Sequence, residues 1–429
     1  MSHSHKLSLK AAIMINLNIM VGIGLFLNTT ILAQLAGAVG FVSYIALAVL
    51  LFPLIKSVAT LVNIYPQGGF YTYASKQMHP LIGFVSAWSY FIGKLASAML
   101  MIHSSLLLLA QIFPAIQQLN IFALDAGVLA TFLALNLLHV QSGSMIQVLF
   151  LVMKLIPIGF VILSGIFLFS GQNYSPTHFE WGGFIDTLPL VLYSAVGFEA
   201  TTSLSSKIKD AHTNGPRAIL ISYALVMCIN VLYQLLFYGS LGIDLAQTGS
   251  FLGAFPLLIT RLFGNHATFA CTLQGLFNIA IACSALGGAY GILFSNSWNL
   301  HTLAQHNHIA FKQWFTRMNR YHIPFMCIAA EGFICLLHLA LSAGNQIPLQ
   351  HTTALGCSIA YTLSVLSLVL YQWRNNNTIV LSLFGLLNCL VLIGSSIYSI
   401  AQHGGSSIYA FASLLTLGVL MFFVTKEKE

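Results

Sequence analysis

Polar and apolar positions in this 429-residue chain alternate on the scale of whole segments rather than of single turns. Apolar runs close to the ~20 residues a helix needs to cross about 30 Å of hydrocarbon recur along the whole length. They fall at 12–37, 40–63, 81–113, 122–141, 145–170 and 184–205, then at 216–242, 267–297, 324–343, 352–373, 378–401 and 406–425. The runs lack the period-two alternation of lipid-facing barrel strands, so the pattern predicts helices. The expectation is an all-α membrane protein of about 12 transmembrane helices. The opening "MSHSHKLSLK" leads straight into an apolar stretch too long for a cleaved signal, and reads as the approach to an uncleaved first helix.

Composition agrees with that solvent. Hydrophobic residues make up 58% of the chain and charged ones 6%, with a mean hydropathy of +0.86; a soluble chain could not cover its core with so little polar surface.

Charge then sets orientation. With a cytoplasmic N-terminus, Lys6, Lys10, Lys76, Lys207, Lys209, Arg217, Lys312, Arg317, Arg320, Arg374, Lys426 and Lys428 fall on the inner side, against Arg261 outside. This positive-inside bias places both termini in the cytoplasm and suits a plasma (inner) membrane. Attraction to anionic lipid is a sufficient account of the pI near 9.0, and nothing points to nucleic acid.

Candidate chemistry is sparse. The seven cysteines all lie in predicted spans without a C-x-x-C pair, which indicates neither a disulfide framework nor zinc. His301, His306, His308 and His322 cluster in one loop, but without fixed helical spacing and among basic neighbours, so an ordinary cytoplasmic loop is the reading preferred to a metal site or pH sensor. The sequence holds no H-E-x-x-H, no paired intramembrane aspartates and no G-x-S-x-G, hence no visible enzyme and no cofactor.

Two runs should not make good continuous helices. In "NLNIMVGIGLFLNTT" Gly22 and Gly24 bracket Ile23, and in "LPLVLYSAVGFEATTSL" Gly197 precedes Glu199 by two residues. Glycine weakens a helix by about 1 kcal/mol, and non-helical backbone at membrane depth survives only against protein or a water-filled cavity. One glycine pair alone would serve helix packing equally well. Breaks in helices one and six together match two five-helix repeats of opposite topology with a binding site between them. The repeats would span about 12–170 and 184–373, with two extra helices at about 378–425.

At these residues the chain resembles the amino acid-polyamine-organocation superfamily of permeases. Gly22 to Phe26 carry a form of its G-x-G-x-F pattern, and "YPQGGFYTYASKQMHPLIGFVSAW" is similar to its proline, double-glycine and tyrosine segment before helix three. "LALNLLHVQSGSMIQVLFLVMKLIPI", "YSAVGFEATTSL" and "NGPRAI" resemble its fourth-to-fifth helix join, its sixth-helix G-F-E element and the proline-arginine start of helix seven. The matches run in family order from about residue 12 to 242. Two departures stand out: Ser205, Ser206 and Lys207 replace an acidic pair common after the G-F-E element, and "GILFSNSWNLHTLAQ" lacks the arginine common late in helix eight.

The resemblance implies a secondary transporter of amino acids or related amines by alternating access, with a proton-coupled symporter ahead of an exchanger, and a channel or membrane sensor further behind. It implies that backbone N–H groups at Gly22, Ile23 and Gly24 meet a substrate carboxylate. Carbonyls near Met20, Val21, Tyr193 and Val196, beside Gly197, would accept from the ammonium. Tyr193 would wall or gate the pocket, or be an ordinary aromatic.

Lys154 lies about nine residues into its run, roughly 13 Å deep at 1.5 Å per residue, too deep to snorkel with ease. In several proton-coupled relatives a lysine at this point of a "K-L-I-P" segment takes the place of a sodium ion. The corresponding expectation is that Lys154 alternates between charged and neutral forms, against the alternative of a fixed structural cation. Glu199 is read as a proton-sensitive gate or a buried partner. Lys94 and Glu331 are further intramembrane ions that would pair, line the cavity or snorkel, and Lys56 would snorkel.

Overall fold

The structure, a computed structural model, describes residues 6–66, 68–249, 251–264, 267–342, 344, 346–403 and 406–426. The first apolar run is two helices, α1 (Leu9–Met20) and α2 (Gly24–Ala36), meeting at an angle of 47°. The next four runs give α3 (Gly40–Ile64), α5 (Pro80–Ile112), α7 (Ile121–Asn136) and α8 (Val140–Leu168), with short α4 (Phe70–Gln77) and α6 (Pro114–Gln117) between them. The sixth run is α9 (Phe184–Tyr193), a stretch of turns, then α10 (Ala200–Ser203).

The second half holds α11 (Ala211–Leu241), α12 (Ile243–Gln247), α13 (Phe251–Phe263), α14 (Ala267–Gln305), α15 (Lys312–Phe315), α16 (Phe325–Ser342), α17 (Gln346–Arg374), α18 (Val380–His403) and α19 (Ser406–Lys426). Among the described residues there is no strand, and eight helices are long and apolar enough to cross a membrane, or nine with the bent pair. A chain of this kind is all-helical because lipid offers backbone groups no other partners.

Enclosure orders the helices. The most apolar windows of α5 and α14 are 83% and 78% buried against 33% and 28% for α8 and α18, so α5 and α14 form the centre and the other two present broad faces to lipid. Small residues let the central helices approach: Gly93 on α5 faces Gly356 on α17 so closely that a Cβ at either position would lie 2.9–3.0 Å from the other's backbone.

Basic residues gather at one end. Leu7 bridges Ile208, which brings Lys6 near Lys207; Arg374 Nη1 donates to Gln77 Oε1, next to Lys76; Asn319, between Arg317 and Arg320, donates to the Leu137 carbonyl. At the opposite end Gly37 bridges Phe179, and Arg261 pairs with Asp244. Of the loop histidines, His306 and His308 pack together on Tyr71, with ring centroids 4.3 and 5.1 Å from it and His308 Nε2 2.7 Å from its Oη, while His301 Nδ1 meets the Phe315 carbonyl at 3.1 Å. Among the described residues no group of three or more His, Cys, Asp or Glu could hold a metal.

Candidate functional site

The break between α1 and α2 follows from its local sequence. Val21 leaves the helix at φ −77°, ψ 73°, and the Gly22 N–H turns back to the Met20 carbonyl at 2.8 Å. Helix α2 then restarts at Gly24 with no side-chain cap, so its first N–H groups are the ones a helix start leaves over. The second break turns on Gly197, whose φ of +129° is open to glycine and strained for other residues.

The two breaks touch. A Cβ at Gly197 would lie 2.9 Å from Ile19 Cγ2 and 3.1 Å from both Met20 Cγ and the Met20 backbone N. Asn16, fully buried on α1, holds the junction: its Nδ2 donates to the Phe198 carbonyl at 2.9 Å and to Ser222 Oγ at 3.1 Å, and its Oδ1 accepts from the Thr201 N–H at 3.3 Å.

Lys154 reaches the first break from α8. It has no exposed surface, and its Nζ donates to the carbonyls of Asn18 at 2.7 Å and Val21 at 2.6 Å. Ser284 on α14 also donates to the Val21 carbonyl, at 3.3 Å. In this conformation the Val21 carbonyl therefore serves Lys154 and Ser284, and that of Met20 serves Gly22. The Lys154 amine thus meets carbonyls that the broken helix has left without their helical partners, inside a region that offers them no water.

Glu199 is equally buried and is bonded on both oxygens. Oε1 accepts from Lys94 Nζ at 2.7 Å and from Tyr90 Oη at 2.9 Å; Oε2 accepts from the Gly197 N–H at 2.9 Å. The carboxylate thus caps the strained turn and ties it to α5. Lys94 pairs and lines the cavity rather than snorkelling, whereas Lys56 is exposed. Glu331, on α16, is buried with neither oxygen hydrogen-bonded among the described residues, and it lies outside the cavity.

Met20, Gly22, Gly24, Val196 and Lys94 come together around one cavity, with Ile19, Ser97, Met101, Ile292 and Thr353. Its volume is about 10 Å³, room for about one water, so the walls are closed against each other. Ile23 is buried beside it without lining it, and the Tyr193 side chain lies outside the described residues. A larger cavity of about 190 Å³ shares the walls Val196 and Thr353 and continues past Asn28, Leu190, Cys357 and Ser395 toward the end opposite the basic residues.

Toward the basic end two contacts tie the second break to its neighbours. Ser205 Oγ donates to the Gly68 carbonyl at 2.6 Å, and Lys207 Nζ sits 4.1 Å from the Trp298 ring centroid. Partial burial, and after it the Lys6 charge, hold Lys207 below the usual lysine range.

Sequence reasoning missed Asn16, Asn18, Tyr90 and Gln147. Asn18 Nδ2 donates to the Gly287 carbonyl at 2.8 Å and lies 3.5 Å from Gln147 Oε1. The available signal was the pair of amides in "NLN" just before the glycines, polar residues costly in a span unless they find partners.

Comparison with known proteins bears on what such a site serves. An uncharacterized transporter of Mycobacterium tuberculosis (strain ATCC 25618 / H37Rv) is 23% identical over 435 residues, covering 98% of this chain and 91% of the relative. The low-affinity putrescine importer PlaP of Escherichia coli (strain K12) is 27% identical over 188 residues, 41% of each chain. An uncharacterized protein of Methanocaldococcus jannaschii is 28% identical over 178 residues, also 41% of each. The profile of the amino acid permease family matches residues 7–424. A broken-helix cavity inside an apolar bundle and a family match over residues 7–424 lead to one conclusion: the chain belongs to the amino acid permease family, an integral membrane transporter and not an enzyme.

Proposed function

We propose that this chain is a secondary active transporter built as two inverted five-helix repeats plus two C-terminal helices, twelve spans in all, and that a proton carried by Lys154 drives uptake. The observation that carries the reading is the fully buried Lys154 Nζ donating to the Asn18 and Val21 carbonyls at the first break. Charge-assisted hydrogen bonds are roughly twice as strong as neutral ones, so loss of that proton loosens the end of α1 at the cavity wall. Gain and loss of one proton on opposite sides of the membrane then bias the two arrangements of the broken helices.

The substrate carboxylate is assigned to the N–H groups at the start of α2, and its ammonium to carbonyls around Met20, Val21, Tyr193 and Val196 that become available once the walls part. The substrate class follows the family and the putrescine importer's name. The clustering of basic residues supports a cytoplasmic placement of that end and of both termini in a plasma (inner) membrane.

Purified protein in proteoliposomes tests this with labelled amino acids and amines, with and without an inward proton gradient. Accumulation that collapses with the gradient is expected. Counterflow without gradient-driven accumulation would make the protein an exchanger, and no movement of any compound would overturn the transport reading.

A further inference from the structure

The proposed cradle accounts for the two main-chain poles of a substrate and leaves its side chain unplaced. The cavity at the breaks, about 10 Å³, has no room for one. The adjoining cavity has: at about 190 Å³ it exceeds the roughly 150 Å³ of an apolar cavity that takes up benzene. The two share the walls Val196 and Thr353, and Val196 belongs to the second break, where the substrate ammonium is assigned. A substrate held at the breaks by its main chain can therefore reach this space with its side chain.

The lining selects the kind of side chain. Among the described residues it holds no Asp, Glu, Lys or Arg, and its titratable walls, His351, Cys357 and Tyr361, carry no fixed charge. A charge brought in has no opposite charge to meet, and an uncompensated buried charge is expensive. Leu190, Leu192, Val196, Ala354 and Leu392 supply apolar surface. Several of the polar walls spend their donors on backbone: Thr353 Oγ1 on the Leu349 carbonyl at 2.9 Å, Ser396 Oγ on that of Leu392 at 2.8 Å, and Asn28 Nδ2 on that of Leu190 at 2.6 Å. A hydroxyl turned back onto its own helix offers no proton to a polar side chain.

We infer that the cavity walled by α9, α17 and α18 is the side-chain pocket of the transport site, and that the substrate is a neutral amino acid with a bulky apolar side chain, of the leucine or phenylalanine kind. The inference rests on the proposed transport reading and narrows it. Affinity grows with the apolar area removed from water, which the methyl group of alanine supplies poorly, whereas lysine, glutamate or a diamine brings a charge that the walls do not answer. The pocket also gives α18, a helix outside the two proposed repeats, a part in substrate selection through Leu392 and Ser396. The putrescine importer is similar over 41% of this chain, and an uncharged pocket is what would separate the two substrate ranges.

The test is uptake of labelled leucine, phenylalanine, alanine, glutamate, lysine and putrescine, each measured separately in proteoliposomes holding the purified protein. KM for leucine or phenylalanine should lie at least about tenfold below that for alanine, glutamate, lysine and putrescine. Ala354→Leu, on α17 and outside the cavity at the breaks, fills the pocket and should lower the ratio of phenylalanine to alanine affinity at least about tenfold; Ser396→Leu should do the same from α18. A fall in either folded variant places the side chain in the pocket. Preference of the wild-type protein for alanine, glutamate, lysine or putrescine overturns the inference even if neither variant folds. An unmoved ratio in both folded variants overturns the pocket assignment, and transport of no compound in the panel overturns the transport reading itself.

Discussion

Replacing Gly197 with alanine adds one carbon at the point where the two breaks touch. Two costs follow from the geometry. The φ of +129° strains any residue with a Cβ, by about 1–3 kcal/mol. The new atom also meets Ile19 Cγ2 at 2.9 Å and the Met20 backbone N at 3.1 Å; a backbone neighbour cannot rotate away, so overpacking adds about 1–3 kcal/mol. The sum, about 2–6 kcal/mol, falls on the conformation in which α1 and the second break are in contact. Because substrate engages the breaks only once the walls part, that cost falls on the closed, substrate-free protein and should be read as a lowered unfolding temperature, with no matching loss of affinity.

Gly22→Ala is the control. There the added carbon meets Met101 Cε at 3.0 Å, the free end of a flexible side chain that can yield, and the cost should stay below about 1 kcal/mol. Equilibrium binding of labelled substrate to purified protein, with thermal unfolding in the same detergent, reads both variants. Gly197→Ala indistinguishable from Gly22→Ala in unfolding temperature would refute the argument that the breaks are locked together through this contact.

Lys154→Gln, which keeps an N–H donor for the two carbonyls, should bind substrate yet fail to accumulate it under a proton gradient, and Lys154→Arg should fail too because a guanidinium holds its proton; near wild-type accumulation in Lys154→Arg would leave Lys154 a fixed cation. Glu199→Gln strands the buried Lys94 ammonium and should cost about 3–5 kcal/mol, read as a lowered unfolding temperature that K94Q/E199Q largely recovers; a single variant as stable as the double would show that the pair carries no such energy. A cysteine introduced at Asn307 in a cysteine-free background should react with impermeant thiol reagents only from the cytoplasmic side, and labelling from outside only would invert the proposed topology.

The hydropathy runs anticipated the long helices to within a few residues because burial in lipid is a demand on every residue of a span. They did not reveal α4 or α13, since both are too short to cross and owe their form to tertiary contacts: Tyr71 and Tyr73 of α4 are buried. Helix α14 runs on to Gln305 past the apolar limit at 297, because Asn296 and Asn299 bond to the Phe91 carbonyl and to each other inside the bundle rather than meeting lipid. The site divides in the same way. Gly22, Gly24 and Gly197 announce themselves as breaks, and Lys154 and Glu199 as ions in apolar runs. Which partner each ion takes was not legible, because Tyr90 and Glu199 are 109 residues apart in sequence and only the packing of α5 against the second break brings them together.

The Asn16 and Asn18 amides have a consequence for how the protein is made. Their partners come from far along the chain: Phe198 is 182 residues away, Ser222 is 206, and Gly287 is 269. At ribosomal rates of about 5–20 residues per second, α1 waits roughly 10–50 s after its own synthesis before all of these groups exist. Throughout that interval a helix that must enter the bilayer first carries amide groups that lipid cannot satisfy. The nascent first helix is therefore a client for whatever protein surface lines the insertion route, and its release into the bundle is timed by the synthesis of α14.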